Sequence, residues 1–199
     1  MSKYPKAVST PRKPSEADAL AAVKTLIAYL GDDPEREGVR ETPARVLRSY
    51  EELFGGYGQD PAELLSKTFE DIEGYDDLVL VRDIDVSSHC EHHLLPIRGV
   101  AHVAYLPRDR VVGLSKLARL VDVYARRLQT QERLTAEIAR TLQETLMPRG
   151  VAVMIEADHA CMSLRGIQAR SSRTITQQFS GELESNPGLR ARFLELLRR

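Results

Sequence analysis

The chain has no tryptophan, only two cysteines and no surplus of either charge, since 29 acidic residues stand against 28 basic ones in 199. That balance excludes the global positive field of a nucleic-acid binder, so any anion site must be local. No apolar run approaches the roughly 20 residues that a membrane span requires, and residues 1–14 carry lysines and prolines instead of the apolar centre of a secretory signal. The expectation is a cytoplasmic protein that engages neither membrane nor nucleic acid. In a reducing compartment, two cysteines 71 positions apart point to metal binding or catalysis before a disulfide. A Gly-x-x-x-x-Gly-Lys-Ser/Thr loop is also lacking, so a nucleotide would have to be gripped by other means.

What is present reads as one compact domain with a helical appendage. Residues 1–14, with Pro5, Pro11 and Pro14, are expected to be a flexible tail. Ser15 can cap a helix whose apolar positions Leu20, Val23, Leu26, Ile27 and Leu30 follow helical steps to Gly31. Thr42-Pro43 starts a second helix that runs to Gly55-Gly56, and residues 15–70 form an N-terminal helical region. From Asp77 the alternation of Leu78, Leu80, Arg82, Ile84 and Val86 is strand-like, as is Gly99 to Leu106. Two apolar stripes follow, Leu117 to Leu128 and Leu134 to Leu146, each on its own helix. Strands at 151–157 and 172–179 and a helix from Asn186-Pro187 complete an α+β region over residues 71–199. Without regular β-α alternation the natural arrangement is an antiparallel sheet with helices on one face.

Both cysteines sit against histidines, in His89-Cys90-Glu91-His92-His93 and in His159-Ala160-Cys161, so that four of the five histidines fall in two short segments. Thiolate and imidazole bind zinc well, and a Cys-x-x-His spacing lets one tight turn present two ligands to one ion. If Asp158 to Cys161 is extended, His159 and Cys161 face the same side. Three ligands, Cys90, His93 and Cys161, leave a coordination place for water, and His92 and His159 remain to move protons near neutrality. Hydrolytic attack on an unsaturated carbon is the reaction type that follows. Gly113-Leu114-Ser115-Lys116 offers a helix start with exposed N–H groups, and Lys116 and Arg119 add charge to an anion site that Arg165 and Arg45 can extend. Glu132, beside Gln131, admits two readings: a carboxylate that accepts two hydrogen bonds from guanine, or a negative charge suited to the first turn of a helix.

Taken together, the Cys-Glu-His-His run within Ser88 to Pro96, Gly-Leu-Ser-Lys at 113–116, Gln-Glu-Arg-Leu-Thr at 131–135 and His-Ala-Cys at 159–161 resemble GTP cyclohydrolase I, from roughly Glu37 to the C-terminus. The resemblance implies an α+β fold of tunnelling (T-fold) type, assembled into a toroidal homodecamer with active sites between subunits. It implies conversion of GTP and water to formate and 7,8-dihydroneopterin triphosphate, the entry to folate and other pterins. Carried over by position, Cys90, His93 and Cys161 are the zinc ligands, His92, His159 and Ser115 the catalytic residues, and Gln131 and Glu132 the readers of guanine. Lys116, Arg119, Arg165 and Arg45, with Ser115, face the triphosphate or ribose. Two rivals stand beside this reading. His89-Cys90-Glu91 matches half of the zinc deaminase signature, but Pro-Cys-x-x-Cys is absent. A binding module stapled by zinc would use His89 or His159 as a fourth ligand.

Overall fold

The computed structural model describes residues 13–70 and 74–198. The expected tail at residues 1–14 therefore lies almost entirely outside the described residues. The chain divides into two compact units, Met1–Glu52 and Leu53–Arg199. In the first, α1 (Glu16–Tyr29) starts at Ser15, whose side chain accepts from the Asp18 N–H while Asp18 answers the Ser15 N–H in a reciprocal cap. Gly31, with φ of +92°, takes the left-handed conformation that ends the helix. The predicted apolar stripe is there, yet α1 has no buried residue, and Leu26 is 60% exposed. The second helix, α2 (Thr42–Leu53), runs up to the boundary between the units.

In the second unit α3 (Pro61–Leu65) and β1 (Thr68–Phe69) lead into the long strand β2 (Val79–Cys90). Its neighbour β3 (Pro96–Leu106) is followed by β4 (Val111–Val112), α4 (Leu114–Ala125), β5 (Leu128–Gln129) and α5 (Gln131–Leu146). The chain closes with β6 (Gly150–His159), α6 (Ala160–Ser163), β7 (Thr174–Gly181), α7 (Glu182–Ser185) and α8 (Pro187–Leu197). The main sheet has the order β5-β2-β3-β6-β7 and is antiparallel except where β5 runs beside the end of β2. Leu65 is wholly buried in the core of the second unit.

The paired helices α4 and α5 cover one face of the sheet, where Leu117, Leu120, Leu134, Ile138 and Leu142 bury themselves against Ala101, Val103, Val153 and Ile155. At one end of the other face Phe193 and Leu183 pack on Ala104, Leu106 and Ala152. The alternation read along β2 does not keep to one face. Leu78 and Leu80 pack with Phe193, whereas Ile84 and Val86 belong with α4 and α5. A bulge between Val81 and Ile84, with Asp83 at φ +59°, inserts one residue and reverses the parity. The Asp83 N–H, drawn out of the ladder, donates instead to Nδ1 of His102 at 3.2 Å.

One close approach holds the centre of the sheet. A Cβ at Gly99 would lie 2.0 Å from the Glu156 carbonyl oxygen and 2.7 Å from Cβ of Ala157, so β3 and β6 come together here only around a glycine. Gly99→Val is expected to cost about 1–3 kcal/mol in denaturant unfolding. Gly55→Val, where nothing lies within 4 Å, should melt close to the wild type.

Candidate metal centre and its surroundings

The end of β2 is shaped by one tight turn. The Cys90 N–H donates to the Leu95 carbonyl at 2.8 Å, and the Leu94 and His93 N–H groups return to the Cys90 carbonyl at 2.9 and 3.3 Å. Leu94 takes φ +57°, a conformation seldom adopted by a side chain of its size, so the turn that aims His93 carries backbone strain. The second segment departs from expectation. Asp158 to Cys161 is not extended throughout, since β6 stops at His159 and Cys161 lies in the helical turn α6, closed by Leu164 N–H to Ala160 C=O at 3.0 Å. The reason is the end of the partner strand: β3 begins at Pro96, and past His159 the β6 backbone has no ladder to join.

The two segments converge. The donor atoms of Cys90, His93 and Cys161 lie within 4.8 Å of one another, and Cys90 Sγ is 3.8 Å from His93 Nδ1. A four-coordinate ion with bonds of about 2.0–2.3 Å keeps such donors roughly 3.3–3.8 Å apart, so the set fits a metal with little movement. Burial, then the neighbouring Cys90, push the Cys161 thiol above its ordinary value, while Arg165 pulls the other way. Two thiols brought together in this way are poorly served without a cation between them.

Neither spare candidate closes the set. His89 is buried against Phe54, with ring centroids 5.0 Å apart, and is no donor to the cluster. His159 is engaged elsewhere, its Nε2 lying 2.7 Å from Oε1 of Gln131. Burial holds the His159 ring below its ordinary pKa, and the charges of Glu132 and Asp158 oppose that shift. His92 is exposed, its Nδ1 3.8 Å from Cys90 Sγ and its Nε2 3.8 Å from Glu91 Oε1. Among the described residues the cluster is thus three protein ligands with two histidines beside it.

The remaining predicted residues divide into three places. Glu132 sits in the exposed first turn of α5, near enough for its charge to act on His159. Arg165 follows α6 and acts on Cys161. Ser115, Lys116 and Arg119 share the first turns of α4, at the opposite end of the sheet. α4 ends beside Leu128, which is paired with His89, and its 12 residues run about 18 Å from there. One chain therefore does not bring the α4 cations to the metal cluster. Arg45, on α2, is paired with Glu41 at 2.6 Å.

Sequence reasoning missed a second layer. Arg133 pairs with Glu91 at 3.0 Å and donates to Oε1 of the fully buried Gln129 at 2.9 Å, tying the Cys-Glu-His-His turn to α5. Its one sequence signal is the pair of glutamines flanking Thr130, the residue that caps α5.

Several known proteins resemble this chain. A family model described as GTP cyclohydrolase I matches residues 19–198, so the likeness begins well before Glu37 and takes in most of α1. The chain is 60% identical over 187 residues to GTP cyclohydrolase 1 of Brucella anthropi, covering 94% of this chain and 88% of that one. It is 58% identical over the same span to the protein of that name from Brucella canis. Among solved structures, an archaeosine synthase QueF-Like in its apo form aligns over 52% of this chain and 93% of its own, at 20% identity and a TM-score of 0.43.

The geometry predicts that Cys161→Ala lowers divalent-metal affinity at least about tenfold, read by elemental analysis after dialysis against a graded chelator. Full retention of metal would remove Cys161 from the ligand set.

Proposed function

The chain belongs to the GTP cyclohydrolase I family, and from that membership we propose that it hydrolyses the imidazole ring of GTP, releasing formate and forming 7,8-dihydroneopterin triphosphate. The observation that carries the reading is the cluster of Cys90, His93 and Cys161 with His92 and His159 beside it and no fourth ligand among the described residues. A staple would need that fourth ligand, and His89 and His159 have other surroundings. Two thiolates with one imidazole favour zinc. When bound, the ion supplies Lewis acidity that brings a coordinated water to a pKa of about 7.

The chain's own groups do the rest. The protonated ring of His159 gives a proton to N7 and so makes C8 of the base open to water, and His92 moves protons as the ring opens and formate leaves. The Glu132 carboxylate accepts from the N–H and exocyclic amine of guanine, a donor pair that adenine does not present. Lys116, Arg119, Arg165 and Arg45, with the Ser115 hydroxyl and the free N–H groups at the start of α4, take up the triphosphate and ribose. The 18 Å or so of α4 between its cations and the metal cluster supports a site completed by a second copy of the chain, in a homo-oligomer for which a toroidal decamer is the proposed form. No described helix is long and apolar enough to cross a membrane, which is compatible with the proposed cytoplasmic location in folate and pterin synthesis.

Protein loaded with zinc is expected to release formate from GTP and to give a pterin ultraviolet spectrum, while ATP gives neither. Glu132→Gln should raise the KM for GTP about tenfold or more with bound metal unchanged. An unaltered KM would take Glu132 out of the guanine site. Shared sites have their own signature. Lys116→Ala and His159→Asn should each be nearly inactive alone, yet co-expressed they should regain up to about one quarter of wild-type activity, because random mixing rebuilds that share of the sites. No regain in mixed oligomers would mean that both residues act within one chain.

A further inference from the structure

We infer that Gln131 is a positioning residue and does not read the substrate: it fixes His159 as the Nε2–H tautomer, so that Nδ1 is the ring atom left to exchange a proton with substrate. This rests on the reading of His159 as a proton-handling group.

Gln131 is 1% exposed, at the first position of α5. Its side-chain nitrogen lies 3.0 Å from the Ile155 carbonyl oxygen, 2.9 Å from that of Thr174 and 3.2 Å from Oγ1 of Thr176. Backbone carbonyls only accept, so this end of the amide is the NH2 group and the other end is the oxygen. That oxygen can only accept, which makes His159 Nε2, 2.7 Å away, the donor. The hydroxyls agree. Thr135 gives its one proton to the Gln131 carbonyl at 2.8 Å, and Thr176, 2.7 Å from Thr135 Oγ1, gives its own to Thr135. The lone pairs of Thr176 are then left facing the Gln131 amide. Both ends of that amide have partners inside the protein, across β6 and β7, and the 1% exposure of the residue keeps it from a guanine. The neutral imidazole carries one proton, and with that proton held on Nε2 the bare nitrogen is Nδ1.

The test is nitrogen-15 NMR of the His159 ring in the full-length, metal-loaded protein, at a pH where the ring is neutral. The signals are identified by their loss in His159→Asn. A proton-bearing Nε2 with a bare Nδ1 is expected in the wild type. In Gln131→Met the Nδ1–H form should appear, and kcat should fall about tenfold or more, a part of the roughly 10²–10⁴-fold that a placed acid–base group contributes. KM for GTP should stay within about threefold, with metal content unchanged. An Nδ1–H ring in the wild type would overturn the inference without recourse to any variant. So would a Gln131→Met protein that keeps the wild-type tautomer and rate, or one that raises KM at constant kcat. Full turnover by His159→Asn would instead overturn the function assigned to the tautomer, while the spectrum would still decide whether the hydrogen bond is as described.

Discussion

The register of β3 is the constraint on which the site depends. Ile97 stands opposite Ser88 on one side and His159 on the other, so one strand levels the ends of β2 and β6 and sets Cys90 and Cys161 to leave the sheet at the same height. A slip by one residue would turn Ile97 outward and Arg98 inward, and would separate the two cysteines. Two features oppose such a slip. Buried Ala101, Val103 and Tyr105 commit alternate residues of β3 to the helix-covered face, and the contact of Gly99 with β6 tolerates no side chain in its place. The bulge at Asp83 serves the same end. It lets Val79 and Val81 before it, and Ile84, Val86 and Cys90 after it, pack into one core despite their opposite parity.

Around that frame, the cost of burying polar groups does much of the orienting. An amide out of water without partners costs on the order of 1–3 kcal/mol. Gln129 and Gln131, both essentially inaccessible, find their partners in the site itself. The Gln129 side-chain nitrogen reaches the Tyr124 carbonyl at 3.0 Å and Glu137 at 2.9 Å, and its oxygen takes Arg133, which holds Glu91 in the ligand turn. Gln131 takes His159. The hydrogen bonds that make α5 compatible with a dry interior thus aim the groups on either side of the metal cluster. Stability and preorganisation have one source here.

Periodic segments were legible in the sequence because their signal is local. Ser15 announced α1, and Asn186 with Pro187 announced α8. The metal cluster was legible because thiol and imidazole in two tight groups have few other reasons to coincide. What escaped depended on distant partners. The bulge follows from pairing with β3, two-residue β5 exists only beside β2, and the turn at Ala160 follows from the place where β3 begins. Gln131 shows the limit most plainly. Its neighbour Glu132 invites a shared role, yet one side chain is in the open and the other is locked between two strands, a distinction no spacing along the chain records.

Chain direction then bears on how the proposed site is assembled. β2 and β6 both end where the metal ligands gather, and β3 carries the chain away from that end to Leu106. A helix that follows β3 and packs back along the sheet must start at the far end, which is where α4 begins with Ser115 and Lys116. The helix start is the natural anion site, because its N–H groups are free there, and the strand ends are the natural metal site, because their turns can be strained without cost to the ladder. In this topology the two best places for phosphate and for metal lie at opposite ends of one chain. Under the proposed function, a substrate with phosphate at one end and the reacting ring at the other would lie across two copies, and assembly would then be part of the catalytic design, beyond its contribution to stability.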